Sequence, residues 1–593
     1  MILILGGTTE GRLAVRVADS AGSPYWYSTR GDLQQIECKH GTHITGALDE
    51  AAMTAFCREH GIRLLVDAAH PFAEELHRTV ASVAESLDLP VVRVERVYPG
   101  QDVIPGSDRE SIRWCDDYAD AIRQLEADGI TRLLALTGVQ TIGRLKPDWE
   151  KHDCWFRILH RDESQEKARQ QGFPQERLVY YEEDDEAALI ARLQPQAILT
   201  NESGESGGFP QKVAAAQAAG LPLYAVRRPP LPAGFETVTG EHGLRKAIEH
   251  HVPGFFPLRS GFTTGACATA ASKAALLALL GKPVEETVEV LFPDGETLSL
   301  PVTDVAPGSA AVVKDAGDDP DVTNGSTIVA TVAFSDKPGI HYLQGAGVGR
   351  VTLPGLGIPV GGPAINRVPR QMMEQNLSAL FDGGLDVTIS VPGGRDLAQR
   401  TFNPKLGIMD GISIIGTSGI VRPFSNEAFV DAIRREIEVA VATGVDRLVI
   451  NSGAKSEASL KRRFPDLPPQ AFVHYGNFIG ETLKIAADLN IRKVAMGIMV
   501  GKAVKLAEGH LDTHSKSVVM NKDFLKELAS EAGCSPAACA AIDRMTLARE
   551  LWSVLDEADA RRFFLTLHDR CHRVCTTVYP PAAGELTLLL VEE

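Results

Sequence analysis

The string LRSGFTTGACATAASK at 258–273 places Gly, Thr, Ser and Ala in a turn that runs into an Ala-rich helix predicted over 268–280. Backbone N–H groups in such a turn are unobstructed, and at a helix N-terminus they point the same way as the helix dipole, an arrangement that binds anions. Thr263 and Thr264 are the candidate contacts; a tight turn with a Thr cap is the competing reading. A second Gly-rich string opens the sequence. Residues 1–5 read as a short apolar strand, Gly6, Gly7, Thr8, Thr9 and Gly11 form a turn, and 12–21 carry a helical pattern. Strand, glycine turn and helix make the first unit of a dinucleotide-binding fold, although GGTTEG departs from GxGxxG spacing. After the second strand, 25–28, Arg30 stands where an NAD site carries an acid, with Asp32 beside it. A cation there suits a 2′-phosphate; a solvated loop arginine is the plainer alternative.

Further along the first half, apolar strand runs at 64–66, 91–94, 133–136, 197–200 and 223–226 alternate with helical stretches. This is the pattern of a doubly wound parallel sheet, whose ligands sit beyond the carboxyl ends of the strands. The residues beyond those ends are small and polar: DAAHPFA at 67–73, Thr137-Gly138, and TNESGESGG at 200–208, with Asn201, Ser203 and Gly204, and then Lys212 on the next helix. His70 reads either as a catalytic acid or as a structural hydrogen-bonder before Pro71.

The second half continues in the same style. KDAGDDPDVTNG spans 314–325, Gly416, Thr417, Ser418 and Gly419 follow the apolar run 412–415, and Asn451, Ser452 and Glu457 follow 448–450. Asn477 and Glu481 lie in HYGNFIGE, and 494–500 leads into Gly501-Lys502. The expectation is that these loops line the carboxyl ends of one open sheet. Asp315, Asp318, Asp319 and Asp321 have hard-cation chemistry but not EF-hand spacing, so a solvated turn is expected, with Asp315 a weak catalytic candidate. His510 and His514 are four apart without HExxH, and His568, Cys571, His572 and Cys575 fit an amphipathic helix; no metal is expected.

A chain of 593 residues is too long for one core and implies roughly three or four domains. The net charge of −17 argues against nucleic acid. No apolar run is long enough to span a bilayer, and the first residues are a strand without a basic leader. Nine cysteines without a CxxC pair favour reduced thiols and a cytoplasmic setting. The boundaries read as 1–252 for a first α/β module with two Rossmann-like lobes and 253–257 for a Pro/Gly linker. An α+β domain over 258–400 and a Rossmann-like α/β domain with a C-terminal extension over 401–593 complete the chain.

ILILGGTTEGR, DAAHPFA, TNESGESGG and GLPLYAVRRP together resemble the precorrin-6A reductase family over nearly all of the first module. RSGFTTGACA, VKDAGDDPDVTNG, GVGRVTLPGLGIPVGGPAINRVPR, GISIIGTSGIVRP, VINSGAKSE, HYGNFIGETLK and VGKAVKLAEGHLDTHS resemble, in order, the cobalt-precorrin-5B C-1 methyltransferase family over 258–525. The resemblance implies a bifunctional enzyme of cobalamin biosynthesis that uses S-adenosylmethionine and NADPH or NADH. One half would methylate cobalt-precorrin-5B and the other would reduce the cobalt-precorrin-6A formed. A corrinoid-binding protein with one inactive module is the alternative, and a homo-oligomer is possible. The acceptor ring carries many carboxylates, so Arg350, Arg367, Arg370, Arg422 and Lys455, with His70, are candidate ring contacts. For the methyl donor, 416–419 with Asn451, Ser452, Glu457, Asn477 and Glu481 compete with Thr263 and Thr264.

Overall fold

The computed structural model describes the chain except residues 32–35, 97, 99–111, 182–184, 515–519 and 592–593, so Asp32 lies outside the described residues. Two compact units divide it, Met1–Pro257 and Leu258–Glu593.

Among its described residues the first unit holds twelve strands: β1 Ile2–Leu5, β2 Tyr25–Thr29, β3 Gly41–Thr45, β4 Leu64–Asp67, β5 Val91–Glu95, β6 Ile112–Cys115, β7 Arg132–Leu136, β8 Asp153–Ile158, β9 Leu178–Tyr180, β10 Ala197–Asn201, β11 Leu223–Val226 and β12 Phe235–Thr239. Six form a parallel sheet in the order β3-β2-β1-β4-β5-β12, and six form a second in the order β9-β8-β7-β10-β11-β6. Both sheets reverse direction at a central strand, β1 and β7, which is the expected doubly wound pattern and puts a crevice at each reversal. The segments β1, β4 and β11 are buried at every residue. Parallel strands covered on both faces favour such unbroken apolar runs. The last strand, β12, returns from the second lobe to pair with β5, so the two lobes are joined by a chain crossing as well as by contacts.

The second unit begins with the helix Thr264–Leu279, buried along nearly its whole length. A helix that is apolar all round must lie in a core, and its alanines let it approach a sheet closely. That sheet has five strands, Thr303–Ala306, Ser309–Val313, Thr327–Ser335, Gly384–Ser390 and Ile340–Gln344 in that order. It is antiparallel except for the last pair. Burial alternates along Gly384–Ser390, as one covered face requires. Farther along, Phe472–His474, Leu448–Asn451, Lys493–Met499 and Glu585–Val591 form a four-stranded parallel sheet in that order.

One sequence expectation is corrected here. The run 412–415 is not a strand of this parallel sheet; it makes isolated bridges, Val348 with Ile412 and Ile365 with Ile414. Strand pairings span residue 400: Arg350–Val351 pairs with Ile408–Met409 and Gly261–Phe262 with Ile420–Val421. The tail is integral: Glu585–Val591 completes the parallel sheet, and the helix Glu557–Thr576 buries Cys571 and Cys575 in the core below it. Among the described residues no helix is long and apolar enough to cross a membrane.

Candidate functional sites

In the first unit the turn after β1 is built around Tyr27. A Cβ at Gly6 would collide with the tyrosine ring, and one at Gly11 would lie 2.8 Å from its hydroxyl. The Gly7 N–H donates to that hydroxyl at 3.0 Å. Thr8 caps the helix Thr9–Asp19 by accepting from the Gly11 N–H at 3.2 Å, and donates to the Ala68 carbonyl at 2.7 Å. This ties the glycine turn to the DAAHPFA loop. Gly7 has φ +104 and open space where a Cβ would stand, and Gly7 and Thr9 are exposed. Bare backbone at a helix start is the cradle that a pyrophosphate needs, so the residues fit the nicotinamide nucleotide. Arg30 is exposed at the end of β2 and makes no ion pair with a described residue. It is therefore available to a 2′-phosphate.

The facing lobe presents Ser203, Gly204 and Lys212. The Ser203 hydroxyl donates to Gly207 O at 3.0 Å, and the Lys212 ammonium to Gly207 O at 3.1 Å. Lys212 is buried, which lowers its pKa to about 8. It holds the loop's shape from beneath and does not project into the cleft. Asn201 is buried and accepts from the Tyr118 hydroxyl at 2.5 Å; the Thr137 hydroxyl meets that of Thr141 at 2.6 Å, beside Gly138 at φ +81.

Arg96, which sequence reading passed over, joins the two lobes. It donates to Glu10 Oε2 at 3.1 Å and to the Ser203 carbonyl at 2.8 Å, while Ser206 donates to Glu10 Oε1 at 2.6 Å. Burial alone would raise the Glu10 pKa, but Ser206 and Arg96 take it below its ordinary value. Arg96 also borders a cleft of about 330 Å³ with Pro71, Tyr98, Arg228 and Thr237. Arg228 pairs with Glu95 and stacks over Tyr98 at 3.7 Å. Both arginines stand directly after strands, in VVRVER and YAVRRP, which is the signal that locates them.

His70 is exposed at the end of the loop after β4, and its Nδ1 accepts the Phe72 N–H at 3.2 Å. The proton of the neutral ring is therefore on Nε2. The surrounding protein and the Arg96 charge lower its pKa to about 4. At neutral pH it offers a hydrogen-bond donor rather than an imidazolium acid.

In the second unit the opening string is a packing joint. The Gly265 N–H goes to Ile415 O at 3.0 Å, the Ala266 N–H to Thr263 Oγ1 at 3.2 Å and the Cys267 N–H to Thr263 O at 3.1 Å. Thr264 Oγ1 accepts from Ile415 N–H at 2.9 Å, and both threonines are buried. The helix donors expected to bind an anion are thus used within the protein. Gly416 and Gly419 are equally structural, since a Cβ would strike Thr263 and Phe292. Ser418 closes on Ile420 at 3.2 Å, and Thr417 is exposed. Asp315 is engaged as a bidentate partner of Arg259, at 2.5 and 3.0 Å, and accepts the Gly317 N–H. Arg370 is a strut: it donates to Ile365 O at 2.8 Å and covers the Tyr342 ring at 4.9 Å. Arg350, Arg367, Arg422 and Lys455 are exposed without an ion pair to a described residue.

The parallel sheet reverses between its strands Leu448–Asn451 and Lys493–Met499; a bare glycine, Gly453, stands in the loop after the first, and another, Gly501, in the first turn of the helix Val500–Ala507 after the second. Gly453 has φ +151, and neither it nor Gly501 has any atom near its missing Cβ. Helix Ala454–Arg463 begins at Gly453 with no side-chain cap. Asn451 is buried and accepts the Gly453 N–H at 3.1 Å; the Ser452 hydroxyl meets that of Ser456 at 3.1 Å. Lys502 reaches the Gly476 carbonyl across the crevice and lies 5.5 Å from the Tyr475 ring centre. Burial, then the Lys505 charge, lowers its pKa to about 8. Open backbone donors beside a lysine fit a carboxylate-bearing nucleoside such as S-adenosylmethionine. Of the other predicted contacts, Glu457 is taken by His474 and Lys461, Glu481 is exposed beside Lys484, and Asn477 O accepts from the Thr513 N–H at 3.1 Å.

The family described as precorrin-6x reductase CbiJ/CobK matches residues 1–248, CbiD matches 253–423, and the CbiD C-terminal domain matches 512–592. The cobalt-precorrin-5B C(1)-methyltransferase of Prosthecochloris aestuarii is 43% identical over 349 residues, covering 57% of this chain and 95% of the relative. That of a Geobacillus species is 43% identical over 340 residues, covering 56% and 92%. Among solved structures, the cobalamin biosynthesis protein cbiD of Archaeoglobus fulgidus aligns at 28% identity and TM-score 0.25 over 47% of this chain and 85% of its own. CobK precorrin-6A reductase aligns at 21% and TM-score 0.35 over 42% and 97%. The chain belongs to the cobalt-precorrin-5B C(1)-methyltransferase family, and it carries in the same polypeptide a reductase module of the CbiJ/CobK family.

Proposed function

We propose that the methyl donor and the nicotinamide nucleotide occupy the two open-backbone crevices described above, one in each unit. The chain is a bifunctional enzyme of cobalamin biosynthesis: it methylates cobalt-precorrin-5B at C-1 and reduces cobalt-precorrin-6A. S-adenosylmethionine supplies the methyl group, and the reduced nicotinamide supplies the hydride. In the methyltransferase unit, Ser452 and the first-turn N–H groups from Ala454 onward bind the donor's carboxylate end, and Lys502 adds a cation. Methyl transfer to a ring carbon needs alignment and exclusion of water more than acid–base groups, which suits a crevice of small residues. We read the second unit as an α+β part followed by a Rossmann-like part that includes the tail.

In the reductase unit, Gly7 and Thr9 hold the pyrophosphate, Arg30 selects the phosphorylated ribose, and the Arg96–Glu10 pair sets the distance between the lobes. Arg228 lines the cleft and, with the Nε2–H of the exposed His70 beside Pro71, offers donors for the ring's carboxylates. The carrying observation is that each parallel sheet of the proposed sites ends, at its point of reversal, in a bare positive-φ glycine at a helix start, Gly7 and Gly453.

The test is the purified chain with cobalt-precorrin-5B, S-adenosylmethionine and NADPH, followed by mass spectrometry. The product should gain one methyl group, and then two hydrogens only when NADPH is present. Ring capture without one of these gains would mark a module as inactive.

A further inference from the structure

Three phenylalanines of the second unit face solvent: Phe402 is 51% exposed, Phe424 69% and Phe429 42%. Two of them cover the end of strand Phe472–His474 and the loop that follows it. The Phe402 ring meets His474 edge-on at 6.1 Å, and Phe429 meets Phe478 at 5.5 Å and covers Gly476, where a Cβ would lie 2.8 Å from the ring. Lys502 binds the carbonyl of that same Gly476. Phe424, one residue before the cap of the helix carrying Phe429, has φ +55, a conformation that bulky side chains avoid. Its N–H is fixed by Asp319 at 3.2 Å. A strained backbone that holds an aromatic ring in water calls for a ligand, as does a cluster of exposed apolar rings.

We infer that Phe402, Phe424 and Phe429 form the face on which the tetrapyrrole-derived ring lies, a binding site for a flat macrocycle with a carboxylate rim. The inference rests on the methyltransferase reading above. Aromatic side chains stack on an extended π-surface. The charges around them match the rim: Arg422 is two residues before Phe424, and Lys455 lies in the first turn of the helix whose Glu457 binds His474. Neither cation has an ion-pair partner among the described residues.

The experiment uses the full chain and four variants: Phe402→Ala, Phe424→Gly, Phe424→Trp and the Phe402→Ala/Phe424→Gly double. In the methylation assay the double variant should raise KM for cobalt-precorrin-5B tenfold or more, with KM for S-adenosylmethionine and for cobalt-precorrin-6A reduction within twofold of wild type. Phe424→Gly removes the backbone strain, so its thermal midpoint should hold or rise while ring KM worsens. A purely structural Phe424 would not produce that split. Phe424→Trp should retain ring affinity. An unchanged ring KM in the double variant overturns the site. If light scattering shows instead that the double variant dissociates an oligomer at unchanged ring KM, the patch is a contact between copies, and the proposal falls. A wild type without methylation defeats the activity reading instead; visible-absorbance titration then decides the site, which requires the double variant to bind fewer rings per chain.

Discussion

Arg96 and Glu10 are 86 positions apart in sequence, yet the guanidinium meets the carboxylate at 3.1 Å, both buried, and the same guanidinium holds the carbonyl of Ser203 in the opposite lobe. The glycine turn and the facing loop are therefore set by one side chain. Removing one member of a buried pair leaves the other charge stranded, at about 3–5 kcal/mol. Arg96→Ala should lower the thermal midpoint of the reductase unit and cut reduction at least tenfold, with methylation retained. Arg96→Lys keeps the charge but cannot serve Glu10 and Ser203 together, and should recover stability better than rate. Equal loss of both activities in Arg96→Ala would show that the pair does more than set the reductase cleft.

Much of the first unit was legible. Its inner strands, such as β1 and β4, are nearly unbroken apolar runs because they are covered on both faces, and small polar strings follow them. Arg96 was passed over: its place directly after a strand marks it, but the partner that defines its role, Glu10, lies 86 positions away. In the second unit, 412–415 has the apolar look of a buried strand, but Ile412 and Ile414 are buried by bridges to two other segments and Ile415 is exposed. The 416–419 loop therefore does not follow a strand of the parallel sheet. The closing strand Glu585–Val591 carries no motif to attach it to a sheet whose other members lie far upstream, and it was not read from the sequence.

Gly7 is at φ +104 with nothing over its α-carbon. Gly7→Val meets two penalties at once: a positive φ costs a β-branched residue on the order of 1–2 kcal/mol, and the side chain occupies the space assigned to phosphate. NADPH oxidation coupled to ring reduction should fall below detection while methyl transfer continues at wild-type rate. Retained reduction with an unchanged KM for NADPH would move the pyrophosphate elsewhere.

Arg30 tests the choice of nucleotide. A charged hydrogen bond is worth roughly 1.5–3 kcal/mol, so Arg30→Ala should raise KM for NADPH about tenfold or more and leave NADH kinetics nearly unchanged. Faster wild-type turnover with NADH than with NADPH would count against a 2′-phosphate contact.

Lys502 gives the donor site a pH signature. Its pKa is lowered to about 8, first by burial and then by Lys505, so the free protein carries the cation below that pH and loses it above. A carboxylate bound beside it favours the protonated form, so affinity for S-adenosylhomocysteine should be full below pH 8. It should then decline with rising pH until it reaches the pKa of the complex. Isothermal titration across pH 6–10, a range set by the ordinary lysine value of about 10.4, measures this. Lys502→Met should weaken binding tenfold or more at neutral pH and flatten the profile, and Gly453→Val should abolish binding by filling the crevice. Ser418→Leu is the discriminating control, because its hydroxyl is already closed on Ile420. Loss of binding in Ser418→Leu with Lys502→Met unaffected would return the donor to the 416–419 loop.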